Sequence, residues 1–524
     1  MVAGERHDPD DADAPAEPDE RGGSRGPASP GHPAAPGEAV FLEAAAREQA
    51  AASAGLLTGS AEVVGAAGAA SPADLPGQGD VPGPAETATP AETAGPGAGG
   101  RAGIGRLIAA LGSATLLQWL GAFAIAPVLP LYLEDRNVSA AGVGMVMSAF
   151  FIGALLAQYP AGRAVALHGH RVVLVAGLAA YTAGCLGLAA SPGLAVDTLM
   201  RMTQGAGAGA FEVAVLTAVA VTVPQQVAGR AFSVVFTGQL TGMAVGPLLG
   251  GLAGEGRMDL LFLAGGGAAL AASLPVLTML GPGRPAAGPP APSSAAPSPA
   301  GPHPVPAPAG GGALRRLLTR GVVGLLLVAA CNGLASGTYE ACWSLLLADR
   351  GVSTEVIGLT YTFFALPYII FALPAGWLAD RADRRWLVLG AVVVMGLTAP
   401  TYPYLPAVWL MIALSWVEAV AMAMSFPSAQ SLLAQEAGVQ GAGRAQGLFT
   451  TVQTGSTAAA ALAAGALYEA DIHLPFVTAS LLILSSAAVL PLLWRKVAGV
   501  VPRPSRPSRA GGTRDLGSSR GGRS

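Results

Sequence analysis

The sequence predicts an all-α integral membrane protein, with twelve transmembrane helices arranged as two parallel six-helix repeats. Three observations predict it. Only 12% of the 524 residues are charged and the mean hydropathy is +0.52, too little charge to cover a water-soluble protein of this length. Twelve apolar segments each approach the roughly 20 residues a helix needs to cross a bilayer. The chain also matches itself at one fixed offset.

In order, residues 1–103 are rich in Ala, Gly, Pro and acid and cannot bury a core, so a disordered acidic cytoplasmic tail is expected. The first long apolar run begins near Leu107, and no secretory signal is legible before it. The spans fall near 107–132, 141–161, 172–191, 195–222, 231–253 and 260–280, and then 321–347, 356–375, 386–405, 407–432, 446–468 and 475–494. This gives an N-terminal six-helix half over 104–281, a Pro/Ala-rich cytoplasmic linker over 282–319, a C-terminal half over 320–495 and a basic disordered cytoplasmic tail over 496–524. Cys185, Cys331 and Cys342 all lie in apolar runs and read as small buried residues.

Charge sets the orientation. Residues 1–100 hold 16 acidic and 4 basic residues, against 16 and 25 in the remainder. If the amino terminus is inside, the inner loops carry Arg163, Arg171, Arg230, Arg284, Arg315, Arg316, Arg320, Arg381, Arg384, Arg385 and Arg444. The outer loops carry only Arg136, Arg257 and Arg350. This positive-inside bias predicts that both termini are cytoplasmic. A single lysine, Lys496, amid heavy Ala, Gly, Pro and Arg use points to a high-GC bacterial genome, hence to a bacterial inner membrane.

Shifting the chain by 214 residues lays Asp135-Arg136 on Asp349-Arg350, Val138-Ser139 on Val352-Ser353, Gly144 on Gly358, Phe150 on Phe364, Pro160-Ala161-Gly162 on Pro374-Ala375-Gly376, and Ala228–Ala231 on Ala442–Ala445. Two halves in the same orientation, six spans each, account for this pattern. Within the fifth span Gly238, Gly242, Gly246 and Gly250 recur every four residues, with Pro247 and Gly251 beside them. Steps of four at about 100° per residue keep them on one stripe, which lets another helix approach at backbone distance. Pro247 cannot donate to the carbonyl of Met243 and should bend the helix.

These residues carry a resemblance. The glycine stripe resembles the antiporter motif of the twelve-span drug:proton antiporter branch of the major facilitator superfamily. Gly121–Asp135 resembles that branch's first-helix motif, and Arg201-Met-Thr-Gln204-Gly205-Ala-Gly207-Ala-Gly209 its fourth-helix motif. The loop motif is nearly complete after span 8, with Gly376, Asp380, Arg381, Arg384 and Arg385, although Asp383 replaces the usual Gly. After span 2 it keeps Gly162 and Arg171, but Ala166 stands where the family has Asp. The resemblance implies a major facilitator fold and a gating role for this loop. By pseudo-symmetry Asp380 should sit at the amino end of span 5, near Arg230, where the helix dipole favours a carboxylate.

Ionisable residues deep in spans are costly and usually functional. Here they are Arg201 and Glu212 in span 4, Glu340 in span 7 and Glu418 in span 10, with Asp197 near the outer end of span 4. Gln118 and Asn332 are repeat mates, as are Gln204 and Glu418. Asp197, Arg201, Gly205 and Glu212 share one helical face, although Arg201 and Glu212 stand about 16 Å apart along the axis. The resemblance places spans 1, 4, 7 and 10 around a central cavity, so these side chains are the expected proton and substrate pathway. Three glutamates against one arginine suit a cationic or neutral lipophilic substrate better than an anion. For each acid the structural alternative is a hydrogen bond to a neighbouring hydroxyl or carbonyl.

The expected activity is proton-coupled export of small amphipathic drugs or secondary metabolites by alternating access. It would be driven by the proton motive force without a cofactor, in a monomer whose partners are substrate, protons and lipid and not nucleic acid. No catalytic, metal-binding or phosphate-binding motif is legible, and His168 and His170 form a loop pair without further ligands, so an enzyme is not expected. A nutrient or metabolite proton symporter of the same fold is the alternative within transport. A transporter-like membrane sensor or scaffold is the alternative outside it.

Overall fold

A computed structural model describes residues 98–280, 317–379 and 381–495. The acidic tail, most of the linker, Asp380 and the basic tail lie outside the described residues. Every regular element described is helical.

The first span, α1, is Ala98–Ile125 followed by Leu129–Asp135. The break falls at Pro127 and Pro130, neither of which has an N–H to continue the ladder. There follow α2 (Ala140–His168), α3 (His170–Ala189), α4 (Leu194–Thr222), α5 (Gln225–Ala253) and α6 (Met258–Met279). The second half begins with α7 (Arg320–Ala348), α8 (Thr354–Ala379) and α9 (Arg384–Thr398). Pro400 and Pro403 tighten the end of the ninth span into a 3₁₀ segment, Ala399–Tyr404. The tenth and eleventh spans form one hydrogen-bonded run, Val408–Ala470, broken only at Gly438, where φ is 67° and ψ 170°. We call its arms α10 and α11. The sequence places a longer loop there, but a single residue in left-handed conformation is enough for the turn. The last span, α12, is Leu474–Leu493. Among the described residues eleven helices are long and apolar enough to cross a membrane, and α11 is the twelfth segment, helical but not among them.

In the first half α2 and α3 pack on α4, and α1 packs on α5 and α6. In the second, α7 packs on the long α10–α11 run, and α8 and α9 also pack against that run. The repeat is visible in individual contacts. Arg136 donates to the Ser191 carbonyl and to Asp197 Oδ2, both from 3.3 to 3.5 Å away. Its mate Arg350 donates to the carbonyls of Leu405, Tyr402 and Pro403 and lies 3.2 Å from Met411 Sδ. Leu405 and Met411 are the repeat mates of Ser191 and Asp197.

The halves meet along two equivalent seams. A Cβ on Gly144 of α2 would lie 2.9 Å from the Gly465 Cα of α11, and one on Gly358 of α8 would lie 2.8 Å from the Gly251 Cα of α5. Since Gly144 is the mate of Gly358 and Gly251 the mate of Gly465, the interface is isologous, as in a two-fold dimer. Its rim repeats the pattern: Glu469 accepts from the Ala141 N–H at the start of α2 (3.2 Å), and its mate Glu255 accepts from the Thr354 hydroxyl at the start of α8. These contacts lie at the end that carries the α1–α2, α5–α6, α7–α8 and α11–α12 connections. One core cluster runs from the first half across this end into Trp343, Leu346, Ile357, Ala461 and Phe476. At the other end of the second half a separate cluster, from Val322 to Trp494, packs within that half.

Candidate functional site

The polar face of α4 is built by its glycines. A Cβ on Gly205 would strike the backbone of Phe150, so α2 crosses α4 at backbone distance there. One turn earlier Arg201 is buried with its guanidinium 4.7 Å over the Phe150 ring. Among the described residues it makes one hydrogen bond, Nη1 to Gln204 Oε1 at 2.5 Å, and its Nε has no partner. Gln204 in turn donates to Cys185 Sγ at 3.0 Å. Asp197 is also buried. One of its oxygens meets Arg136, and among the described residues the other has no partner, nor has the buried Tyr181 hydroxyl on α3. Orphaned polar atoms therefore concentrate on α3 and α4.

Glu212 lies three turns further along α4, half-buried, with no hydrogen bond to a described residue. Across the interface, Glu340 on α7 is likewise half-buried and unbonded. Arg201 and Glu340 act on each other electrostatically, although they form no ion pair. Gln118 on α1 is buried and its mate Asn332 on α7 half-buried.

Glu418 has a different setting. It is 1% exposed. Tyr339 OH lies 3.1 and 3.2 Å from its two oxygens, Thr398 Oγ1 3.0 Å and Tyr402 OH 2.9 Å from Oε2. All three hydroxyls belong to the same half. Tyr402 stands edge-on to Trp343 at 4.9 Å, which fixes the cage. The structure thus joins Arg201 to Gln204 and gives Asp197 to Arg136, leaves Glu340 of α7 without a hydrogen bond among the described residues, and holds Glu418 inside its own half. Sequence reasoning flagged Glu418 and missed Thr398 and Tyr402, because single hydroxyls in an apolar run carry no periodic signal.

The glycine stripe packs as its spacing predicts. A Cβ on Gly238 would lie 2.8 Å from the Gly112 carbonyl, on Gly242 2.7 Å from Leu120 N, and on Gly246 2.9 Å from Ala124 N; Gly250 also meets Ala124. Four glycines of α5 therefore seat α1, whereas Gly251 turns toward α8 in the other half. Helix α5 continues through Pro247 to Ala253.

The loop motif is only partly described. Asp380, on which the predicted lock depends, lies outside the described residues, and Gly376 is in the last turn of α8. Arg381 covers the Trp377 ring at 4.0 Å. Asp383 caps α9 by accepting from the Arg385 N–H and grips the Arg385 guanidinium at 2.6 Å. Arg385 also reaches the Trp494 carbonyl, and Arg384 is buried. An Asp directly before Arg-Arg and an apolar run is a capping signal, so this role was legible. In the first half Gly162 and Arg230 are exposed, and Arg171 donates to the Leu277 carbonyl at 2.8 Å. An apolar groove of about 360 Å³ between α2, α3 and α4, lined by Ala157, Ala161, Val173 and Ala210 with His168 at its end, touches neither Arg201 nor Glu212.

Two six-helix repeats meeting along bare glycine seams, with charged groups buried beside the interface, define a class: a multi-pass membrane transporter. The chain belongs to the Major Facilitator Superfamily, whose sequence profile matches residues 111–341 and 325–520. It is 23% identical over 367 residues to the quinolone resistance protein NorA of Staphylococcus aureus (strain MSSA476), covering 68% of this chain and 89% of that protein. It is 26% identical over 141 residues to the probable galactarate/D-glucarate transporter GudP of Pseudomonas putida, covering 26% of this chain and only 31% of GudP. The fold resembles a point mutant of the nucleoside transporter NupG, with a TM-score of 0.60 at 13% identity over 74% of this chain and 99% of that one. It also resembles a D-xylose–proton symporter, with a TM-score of 0.58 at 16% identity over 76% and 98%.

Proposed function

We propose that this transporter is a proton-coupled exporter of small amphipathic molecules, working by alternating access of its two halves around the Arg201–Glu340 level. The observation that carries the proposal is the pair of half-buried carboxyls, Glu212 and Glu340, which have no hydrogen-bond partner among the described residues. A carboxyl in that setting can take up and release a proton, whereas the caged Glu418 is committed to three hydroxyls. The export direction is supported by the glycine stripe of α5 and by the likeness to NorA along most of its length. With the arginine-rich loops placed in the cytoplasm, the glycine seams close the outer end and the chain faces inward. The protein would then sit in a bacterial inner membrane with both termini cytoplasmic.

The test is collapse of an imposed pH gradient in inverted vesicles on adding an amphipathic dye. Wild type should dissipate an acid-inside gradient as dye enters, and Glu212→Gln, correctly inserted, should not. A symporter would instead move proton and solute together in the same direction. Unchanged coupling in both Glu212→Gln and Glu340→Gln would place the proton path elsewhere.

A further inference from the structure

We infer that the two halves together take zwitterionic small molecules, binding an anionic group at Arg201 of α4 and a cationic group at Glu340 of α7. This rests on the exporter reading and narrows its substrate class. Counting charges in the sequence favours cations, three glutamates to one arginine. The structure changes the count. Glu418 is 1% exposed and bonded by three hydroxyls of its own half, so it offers nothing to a ligand. Glu212 lies about 16 Å along the axis from Arg201, too far for one small group to touch both.

Asp197, one turn before Arg201, is 1% exposed and faces Arg136. What remains for a ligand is one cation on α4 and one anion on α7. Arg201 is 4% exposed. Among the described residues only Nη1 has an acceptor, one face of the guanidinium is taken by Phe150, and Nε is unpartnered. A desolvated guanidinium without a counter-ion is unfavourable by several kcal/mol, so the site gains from an anion. Glu340 acts on it across the interface but makes no ion pair with it. Phe150, which covers Arg201, is carried by α2, and α2 packs against α7, the helix of Glu340. Neither charge is repeated: the mate of Arg201 is Ser415 and that of Glu340 is Ala126. Each half thus offers a ligand one charge of opposite sign, and a molecule bearing both signs would bridge them, its carboxylate reaching Arg201 edge-on.

The experiment compares three xanthene dyes on the purified full chain in proteoliposomes, by equilibrium binding and by gradient-driven uptake. Rhodamine B carries a carboxylate and a delocalised cation, its ethyl ester only the cation, and fluorescein only negative charge. The expected order is rhodamine B about tenfold tighter than the ester, with fluorescein weakest. Arg201→Gln should erase the preference by weakening rhodamine B alone, and Arg201→Lys should restore part of it. Glu340→Gln should weaken rhodamine B and the ester together. An ester that binds wild type as tightly as rhodamine B overturns the inference without any variant, as does an Arg201→Gln protein that keeps the preference. If the ester is exported but rhodamine B is not, the exporter reading stands and the zwitterion site falls. If none of the dyes binds or moves, both fall.

Discussion

The turn from α2 to α3 and the turn from α8 to α9 occupy equivalent places in the two halves and are closed by different chemistry. The first pivots on Gly169, whose φ of 84° no side chain tolerates well. The second pivots on its mate Asp383, which has an ordinary φ of −71° and closes the turn by capping α9 and gripping Arg385. The same divergence recurs elsewhere. Arg136 faces Asp197, and its mate Arg350 faces Met411 and three carbonyls. Gly242 and Gly246 of α5 yield to Trp119, Leu120 and Phe123 of α1, whereas in the other half Gly333 and Gly337 of α7 yield to Ser456 and Ala460, the mates of those α5 glycines. Duplication kept the backbone path while the residues that hold it were free to change, provided each contact stayed filled. Charge in the spans diverged too, since neither Arg201 nor Glu340 has a charged mate.

The seam between α1 and α5 gives the sharpest way to break the comparison. Gly242→Leu or Gly246→Leu places a side chain where even a Cβ would be 2.7 to 2.9 Å from backbone atoms of α1. A loss of about 3 kcal/mol or more is expected, at the upper end of overpacking, with transport abolished. Leu248→Phe, off the stripe, should change thermal unfolding little. Equal small shifts at all three positions would mean that α1 and α5 do not approach as described.

Next in size is the arginine staple. Arg136→Ala leaves the buried Asp197 carboxylate without its cation and should cost roughly 1–3 kcal/mol. Adding Asp197→Met copies the residue that the other half uses at that place and should recover most of the loss. A double variant no better than Arg136→Ala would show that the two staples are not interchangeable. The capping turn should respond less. Asp383→Ala is expected to cost about 1 kcal/mol, and Asp383→Asn, which keeps the cap, less. The Arg385 guanidinium holds the Asp383 carboxyl below the usual carboxylate range. The folded-state value is depressed, so the stabilisation is complete above the ordinary carboxylate value of about 4 and is lost as pH falls below it. Unfolding midpoints followed downward from pH 5 should therefore drop in wild type more than in Asp383→Asn. The smallest effect belongs to the rim, where Glu255→Gln with Glu469→Gln removes two carboxylates from helix amino ends, each worth about 0.3–1 kcal/mol. Accessibility of a cysteine placed at the closed end should rise slightly in the double variant and stay unchanged in either single one.

The spans and the repeat were legible because they rest on the two strongest signals a sequence carries: apolar length, and identity at a fixed offset in residues such as Asp135, Pro160 and Arg230. The glycine stripe was legible in its spacing but not in its partner, since nothing local says that Gly246 seats α1 while Gly251 seats α8. Ionisable positions announced themselves by cost, but not their surroundings. Glu418 and Glu340 look alike in an apolar run, and only the approach of Thr398 and Tyr402 from another helix separates the caged acid from the open one. A lock made by a carboxylate at a helix amino end was expected for Asp380 at α5. At the opposite end of the molecule the described residues hold such a contact at Glu469 on α2, beside the Glu255–Thr354 bond at the start of α8.

The two glycine seams bear on how fast such a protein can cycle. Where side chains interlock, parting two helices means lifting each knob from its hole and letting it find a new rotamer, and every such step adds friction. At Gly144 against Gly465 and at Gly251 against Gly358 there is nothing to lift. The surfaces are smooth backbone that can separate and meet again in register, like the faces of a plain bearing. If the halves rock as proposed, the turnover limit would lie not in these seams but in the groups that must change partners before the seams can part.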